Sequence, residues 1–160
     1  MYMKTLTLAL FLLYGSFAFG QLKTDNNKLV LIQDIFNKTT KDNINAFMKG
    51  KGFEKGDVEE GEDDIKEIYA FSSKIDLIEI SYGKNNKISS VICIFSGAIN
   101  TPFIEIELKN NGYSAKLTKQ TINGQPISKN IWSKSGDKFN FVTYSDEAEK
   151  IGVLGYGLYK

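Results

Sequence analysis

Apolar residues at helical spacing mark the first half of the chain. Within residues 42–53, Ile44, Phe47 and Met48 fall on one helical face, and glycines follow them. A glycine at that place can end a helix in the left-handed conformation. A further helix is predicted over residues 27–36, where apolar side chains share a face.

The second half carries a similar stretch over residues 102–113. Thr101 followed by Pro102 is typical of a helix start, because proline is well tolerated in the first turn. Residues 103–108 also alternate between apolar and acidic side chains, as a strand would. The Thr-Pro start and the likeness to the first half favour a helix here.

Beyond each of these helices the pattern changes to period two, which is typical of strands. The predicted strands cover residues 53–58, 65–72, 75–82, 88–95, 113–121, 127–133, 138–145 and 150–159. Asn-Gly within residues 122–125 indicates a hairpin, because these residues accept the positive φ angles of a type I′ turn. The fold class is therefore α+β: one antiparallel sheet, or two abutting sheets, with helices on one face.

The two halves also align with each other, at an offset that drifts from 60 to 63 residues. The matches in the helical stretch are Ile44 with Ile104, Met48 with Leu108, Lys49 with Lys109, Gly52 with Gly112, and Phe53 with Tyr113. We expect two degenerate α-β-β-β repeats, approximately residues 25–96 and 97–160, with an extra or split strand in the first.

The N-terminal residues have the layout of a secretory signal. Lys4 precedes the apolar run Leu6–Leu13, and a small-x-small ending at residues 18–20 predicts cleavage before Gln21. The alternative is a membrane anchor, but the run is shorter than the ~20 apolar residues needed to span a bilayer. We expect residues 1–20 to be a signal peptide. Residues 21–160 would then form one exported α+β domain, periplasmic or secreted, with no membrane anchor after cleavage.

Composition argues against several classes of activity. Without Lys4, 19 lysines balance 19 acidic residues, and the chain has no arginine and no histidine. A nucleic-acid partner is not expected, because binding to phosphates usually requires a basic face. The missing histidine removes the commonest general base and transition-metal ligand, so no cofactor or metal and no enzymatic activity is expected. The single cysteine, Cys93, lies in an apolar strand and is expected to be a buried thiol.

One acidic run is a candidate binding site. Its members are Asp57, Glu59, Glu60, Glu62, Asp63 and Asp64. Acidic residues at alternate positions, followed by Gly61, suggest a calcium-binding loop. However, the bidentate glutamate that is the last ligand of such a loop is missing. A docking patch and a well-solvated turn are the other interpretations, and the solvated turn is favoured.

Aromatic residues on the predicted strands are the second candidate. Trp132, Tyr144 and Tyr156 could form an exposed face that binds sugar or protein. Strands also favour aromatic residues in the core, and this alternative is the stronger one.

Three functions remain open from the sequence. Tandem helix-plus-strands units in an exported chain resemble, in architecture and without a shared motif, small periplasmic binding or inhibitor proteins such as beta-lactamase-inhibitor-like domains. The resemblance implies a non-catalytic module that acts on another envelope or secreted protein. The alternatives are a carboxylate-based enzyme or glycan-binding protein of the envelope, for which Glu79, Glu105 and Glu107 are the candidate acids, and a structural envelope component.

Overall fold

A computed structural model describes residues 22–122 and 125–158 of the chain. The predicted signal peptide, the centre of the predicted Asn-Gly turn and the last two residues lie outside the described residues. The three predicted helices are confirmed as α1 (Asn27–Lys38), α2 (Ile44–Gly50) and α3 (Thr101–Asn110). A 3-10 turn, Ala98–Asn100, leads directly into α3.

Local chemistry explains where α1 begins and which face it buries. The Asn26 side chain accepts hydrogen bonds from the backbone N–H groups of Lys28 and Leu29, at 3.1 and 3.2 Å. These bonds satisfy donors that have no partner inside the helix. Leu29, Ile32 and Ile35 then face the core and are fully buried.

Helix α2 ends on a glycine in the left-handed conformation. Gly52 has a φ of +84°, and its N–H donates to the Lys49 carbonyl. The next residue, Phe53, donates to the Met48 carbonyl at 3.0 Å. This pair of bonds satisfies carbonyls that the helix itself leaves open. The same pair of bonds, with the same φ, ends α3 at Gly112.

Replacing either of these glycines by alanine is expected to lower the free energy of unfolding by about 1 kcal/mol, because an L-residue at positive φ is strained. No heavy atom lies within 4 Å of the Cβ that Gly52→Ala would add. The loss of stability there would therefore come from backbone strain and not from a steric clash. Gly50→Ala is the matched control, since Gly50 lies in open space without a positive φ. Urea unfolding of Gly52→Ala, Gly112→Ala and Gly50→Ala checks this. Equal losses at Gly50 and Gly52 would contradict it.

The eight strands form one antiparallel sheet. They are β1 (Glu54–Glu60), β2 (Ile65–Ser72), β3 (Asp76–Gly83), β4 (Ile88–Ser96), β5 (Ser114–Ile122), β6 (Gln125–Ser133), β7 (Asn140–Asp146) and β8 (Ile151–Gly157). Their order across the sheet is β1-β2-β3-β4-β8-β7-β6-β5. Four strands follow α2, which agrees with the extra strand that the sequence allowed in the first predicted repeat. Four strands also follow α3, so the expectation of three strands is wrong for the second predicted repeat.

All three helices pack on the same face of this sheet. The core consists of the buried helix residues and of every second strand residue, whose side chains lie on the helix-covered face of the sheet. Examples are Ile80, Val91, Phe141 and Leu154. Cys93 belongs to the same core, and burial raises the pKa of its thiol to about 12, so the thiol stays protonated at neutral pH. Among the described residues, no helix is long and apolar enough to cross a membrane.

Candidate binding surface

The side of the sheet opposite the three described helices carries a group of neighbouring apolar side chains. We call this side the open face. It consists of the strand residues whose side chains lie on the face opposite the core. Its apolar members are Ile68, Ala70, Leu77, Ile92, Ile94, Ile131, Val142, Tyr144 and Val153. None of them belongs to the core cluster on the helix side.

Strand register assembles these residues into rows. Leu77 pairs with Ile94, Ile94 with Val153, and Val153 with Tyr144, which gives four apolar neighbours across β3, β4, β8 and β7. Each of the four is half-buried, although none of the helices in the described part of the chain covers it. Neighbouring apolar side chains in such a row shield one another and still present a continuous surface to solvent.

A second row runs beside the first and has charged residues at its ends. Ile92 and Val142 flank Gly155, and Ile131 continues the row on β6. The row begins at the half-buried Glu79 of β3. It ends at Lys116 on β5, which pairs with Ile131. The apolar rows therefore lie between an acid on one side and a lysine on the other.

Tyr144 is the one polar aromatic side chain in these rows. Its hydroxyl donates to Asp146 at 3.1 Å. Partial burial, this bond and the charge of Asp146 raise the pKa of Tyr144. Asp146 also accepts backbone hydrogen bonds from Glu149 and Ala148, and the Glu149 bond contributes most to lowering its pKa. The Tyr144 hydroxyl is therefore held as a neutral donor at the end of β7.

Trp132 lies on the opposite, helix-covered side of the sheet. It is 6% exposed and pairs with the core residue Phe141. Its indole N–H donates to the Thr143 hydroxyl at 2.9 Å, and that hydroxyl donates to Glu105 at 2.6 Å. Asn130 donates to the same carboxylate oxygen at 2.9 Å. These bonds tie α3 to β6 and β7.

Tyr156 is also on the helix-covered side, at 8% exposure. Its ring packs against Phe36, Phe139 and Phe141, with ring centres 4.5 to 5.9 Å apart. Burial, and then the charge of Asp137, raises the pKa of its hydroxyl. Of the three candidate aromatic residues, only Tyr144 lies on the open face, so the three do not share a surface.

The acidic run occupies the last part of edge strand β1 and the turn to β2. Its six acidic residues are all exposed: Asp57, Glu59, Glu60, Glu62, Asp63 and Asp64. In the described part of the chain, no group of three or more metal-binding side chains is arranged to hold an ion. The nearest cation contact of the run is the exposed pair of Lys84 and Asp64 at 4.0 Å, which contributes little in water.

The candidate acids for an enzyme are not brought together. Glu79 is on the open face of β3, whereas Glu105 and Glu107 are on α3, on the other side of the sheet. Glu105 is occupied by the bonds from Asn130 and Thr143.

Apart from Tyr144, the sequence analysis did not single out the apolar residues of the open face. A signal for them exists, however. Residues 91–95 of β4 are apolar at every position, so both faces of that strand are apolar. Such a run is expected for a strand covered on both sides, but the helices that the structure describes cover β4 on one side only.

No protein-family model matches the sequence, and comparison with characterised proteins and with solved structures gives no match.

Proposed function

We propose that this protein is an exported, non-catalytic binding module that holds another envelope or secreted protein against its open face. The observation that carries the proposal is the pair of apolar rows, the first of them half-buried, on a side of the sheet that no helix within residues 22–122 or 125–158 covers. Apolar surface left in contact with water costs free energy, and a partner that covers it recovers that free energy.

The chemistry of the open face indicates the kind of partner. Leu77, Ile92, Ile94 and Val153 offer aliphatic contacts without charge, while Tyr144 offers a ring and a hydroxyl. Apolar centres with an aromatic residue and a charged margin are typical of protein interfaces. The partner surface should therefore be apolar at its centre. Glu79 and Lys116 at the two ends of the row would orient it by charge.

We also propose that the fold arose by internal duplication. The two halves of the sheet follow the same order from edge to centre. Strands β1 to β4 run inward from one edge, and β5 to β8 run inward from the other. The identical glycine ends of α2 and α3, sixty residues apart, support the same correspondence. On this interpretation the open face combines one four-stranded half from each repeat, which doubles the width available to a partner.

The proposed location rests on the N-terminal pattern of a positive residue, a short apolar run and a small-x-small ending. A chain with this leader meets its partners outside the cytoplasm, which is why the expected partner is an envelope or secreted protein.

The test begins with capture on the immobilised protein from the envelope fraction and culture fluid of the source cells. A captured partner is then purified, and its affinity is measured for the wild type and for Ile94→Lys. Ile94 lies between Leu77 and Val153 in the first row, so a lysine there places a charge in the centre of the proposed interface. We expect at least a tenfold loss of affinity, in the range of central interface residues.

Ile106→Lys is the matched control, because Ile106 is an isoleucine on the solvent side of α3 and is 54% exposed. It should leave the affinity unchanged. Tyr144→Ala, a milder variant at the other end of the row, should weaken binding without adding a charge. Full affinity in Ile94→Lys and Tyr144→Ala, or the same loss in Ile106→Lys, would contradict the proposal, as would failure to capture any partner.

A further inference from the structure

A cavity of about 380 Å³ lies on the helix side of the sheet, away from the open face. It is open to solvent on one side and is bordered by the C-terminal end of α1, the turn between β3 and β4, and the segment that leads into β7. Its size is within the ~300–1,000 Å³ range of small-molecule sites. It is therefore too small for a protein domain and suitable for a small ligand.

The cavity has an apolar floor. Phe36 of α1 and Phe139 before β7 are in edge-to-face contact, with ring centres 4.7 Å apart. Ile88 at the start of β4 adds an aliphatic side chain. All three are only partly buried and pack against the core from its margin, so their contacts with the core hold them in place. Their remaining apolar surface is available to a ligand.

The polar part of the cavity carries a positive charge. Lys87 is exposed, belongs to the lining, and forms no ion pair with any residue in 22–122 or 125–158. The other polar lining residues are neutral, and none of the lining residues is acidic. Lys138 lies nearby, with its ammonium group 5.7 Å from the centre of the Phe139 ring.

The C-terminal end of α1 opposes the positive charge of Lys87, because the C-terminal end of a helix carries about half a negative charge. Lys38 in the last turn forms an ion pair with Asp34 at 2.6 Å, so the two together add little net charge there. The Ile35 carbonyl near this end already accepts hydrogen bonds from the N–H and the hydroxyl of Thr39. Lys87 carries a full unit of charge within the lining itself, so its charge outweighs the partial charge of the helix end there.

From these features we infer that the cavity binds a small amphipathic carboxylate. The aryl or alkyl part of the ligand contacts Phe36, Phe139 and Ile88, and its carboxylate pairs with Lys87. The site is independent of the proposed partner interface, because it lies on the opposite side of the sheet.

The experiment uses 3-phenylpropionate as the probe, titrated into the isotope-labelled protein and followed by two-dimensional NMR. We expect saturable shifts centred on the amides of residues 36–40, 86–88 and 139, with a dissociation constant in the millimolar range. Lys87→Gln should weaken binding by about two- to fivefold, because it removes an exposed ion pair. Lys84→Gln, in the same turn but outside the cavity lining, should leave binding unchanged.

Two further comparisons distinguish how the apolar part and the charged part of the site contribute to binding. Thr40→Trp places a bulky side chain at the exposed rim and should abolish the saturable shifts, without removing any residue of the core. The neutral analogue 3-phenylpropionamide should bind more weakly than the acid. Equal binding of the amide, shifts centred elsewhere, or no saturable shifts at all would overturn the inference.

Discussion

Replacing Trp132 by alanine is expected to lower the free energy of unfolding by about 3–5 kcal/mol, the range for removing a large aromatic side chain from a core. Trp132 is 6% exposed, and its ring packs in the cluster beneath α3. Thr143 can still donate to Glu105 when the indole is gone, so the loss comes mainly from packing. Because Trp132 is the chain's single tryptophan, circular dichroism in urea, rather than fluorescence, should follow unfolding.

The control for this variant is Leu117→Ala on the neighbouring strand β5. Leu117 is 61% exposed, so its truncation should change the free energy of unfolding by no more than about 0.5 kcal/mol. The Trp132 result also bears on function. If Trp132→Ala kept wild-type stability but lost the captured partner, Trp132 would be a contact residue. The proposal that binding occurs on the open face would then be wrong.

The second large effect is expected at Gly152, where an added methyl group has no room. A Cβ built on Gly152 would lie 2.3 and 2.4 Å from the Cε2 and Cζ atoms of Phe95 and 2.6 Å from the Thr101 hydroxyl oxygen. The Phe95 ring and the start of α3 approach β8 closely because residue 152 has no side chain. Gly152→Ala should therefore lower the free energy of unfolding by about 1–3 kcal/mol through overpacking.

Gly56→Ala is the matched strand control, because the nearest atoms to its added Cβ are those of Ala70 at 3.5 Å, an ordinary contact. It should be neutral or slightly stabilising, since alanine restricts the unfolded chain. Phe95→Leu combined with Gly152→Ala should recover part of the loss, with a coupling free energy of about 0.5–3 kcal/mol in a double-mutant cycle of urea unfolding. Strict additivity of the two changes would show that the Phe95 ring is not the obstacle.

Local sequence patterns predicted the helices and strands and placed every strand end within two residues of its observed position. Strand β2 occupies the predicted residues 65–72, and β4 extends the predicted 88–95 by one residue. Helix α3 begins at the Thr-Pro signal despite the alternating pattern that follows it. These features could be predicted because turns, helix ends and hydrophobic period depend on residues close together in the chain.

Pairing between strands decided features that local patterns could not. The hydrophobic pattern predicts that the first strand ends at residue 58, but β1 continues to Glu60 through acidic residues of low strand propensity. Its backbone is held by antiparallel pairing with β2, where Glu59 lies opposite Ile68. The hydrogen bonds of that pairing outweigh the local preference.

Local patterns did not show which aromatic and apolar side chains lie on the open face, because that depends on contacts between distant parts of the chain. Alternation along β7 places Phe141 and Tyr144 on opposite sides, but the sequence does not say which side the helices cover. Register between distant strands then aligned Trp132 and Tyr156 with Phe141 in the core, and Val153 with Tyr144 on the open face. Register depends on contacts between residues far apart in the chain, so a one-residue slip would exchange the two faces while the local pattern stayed the same.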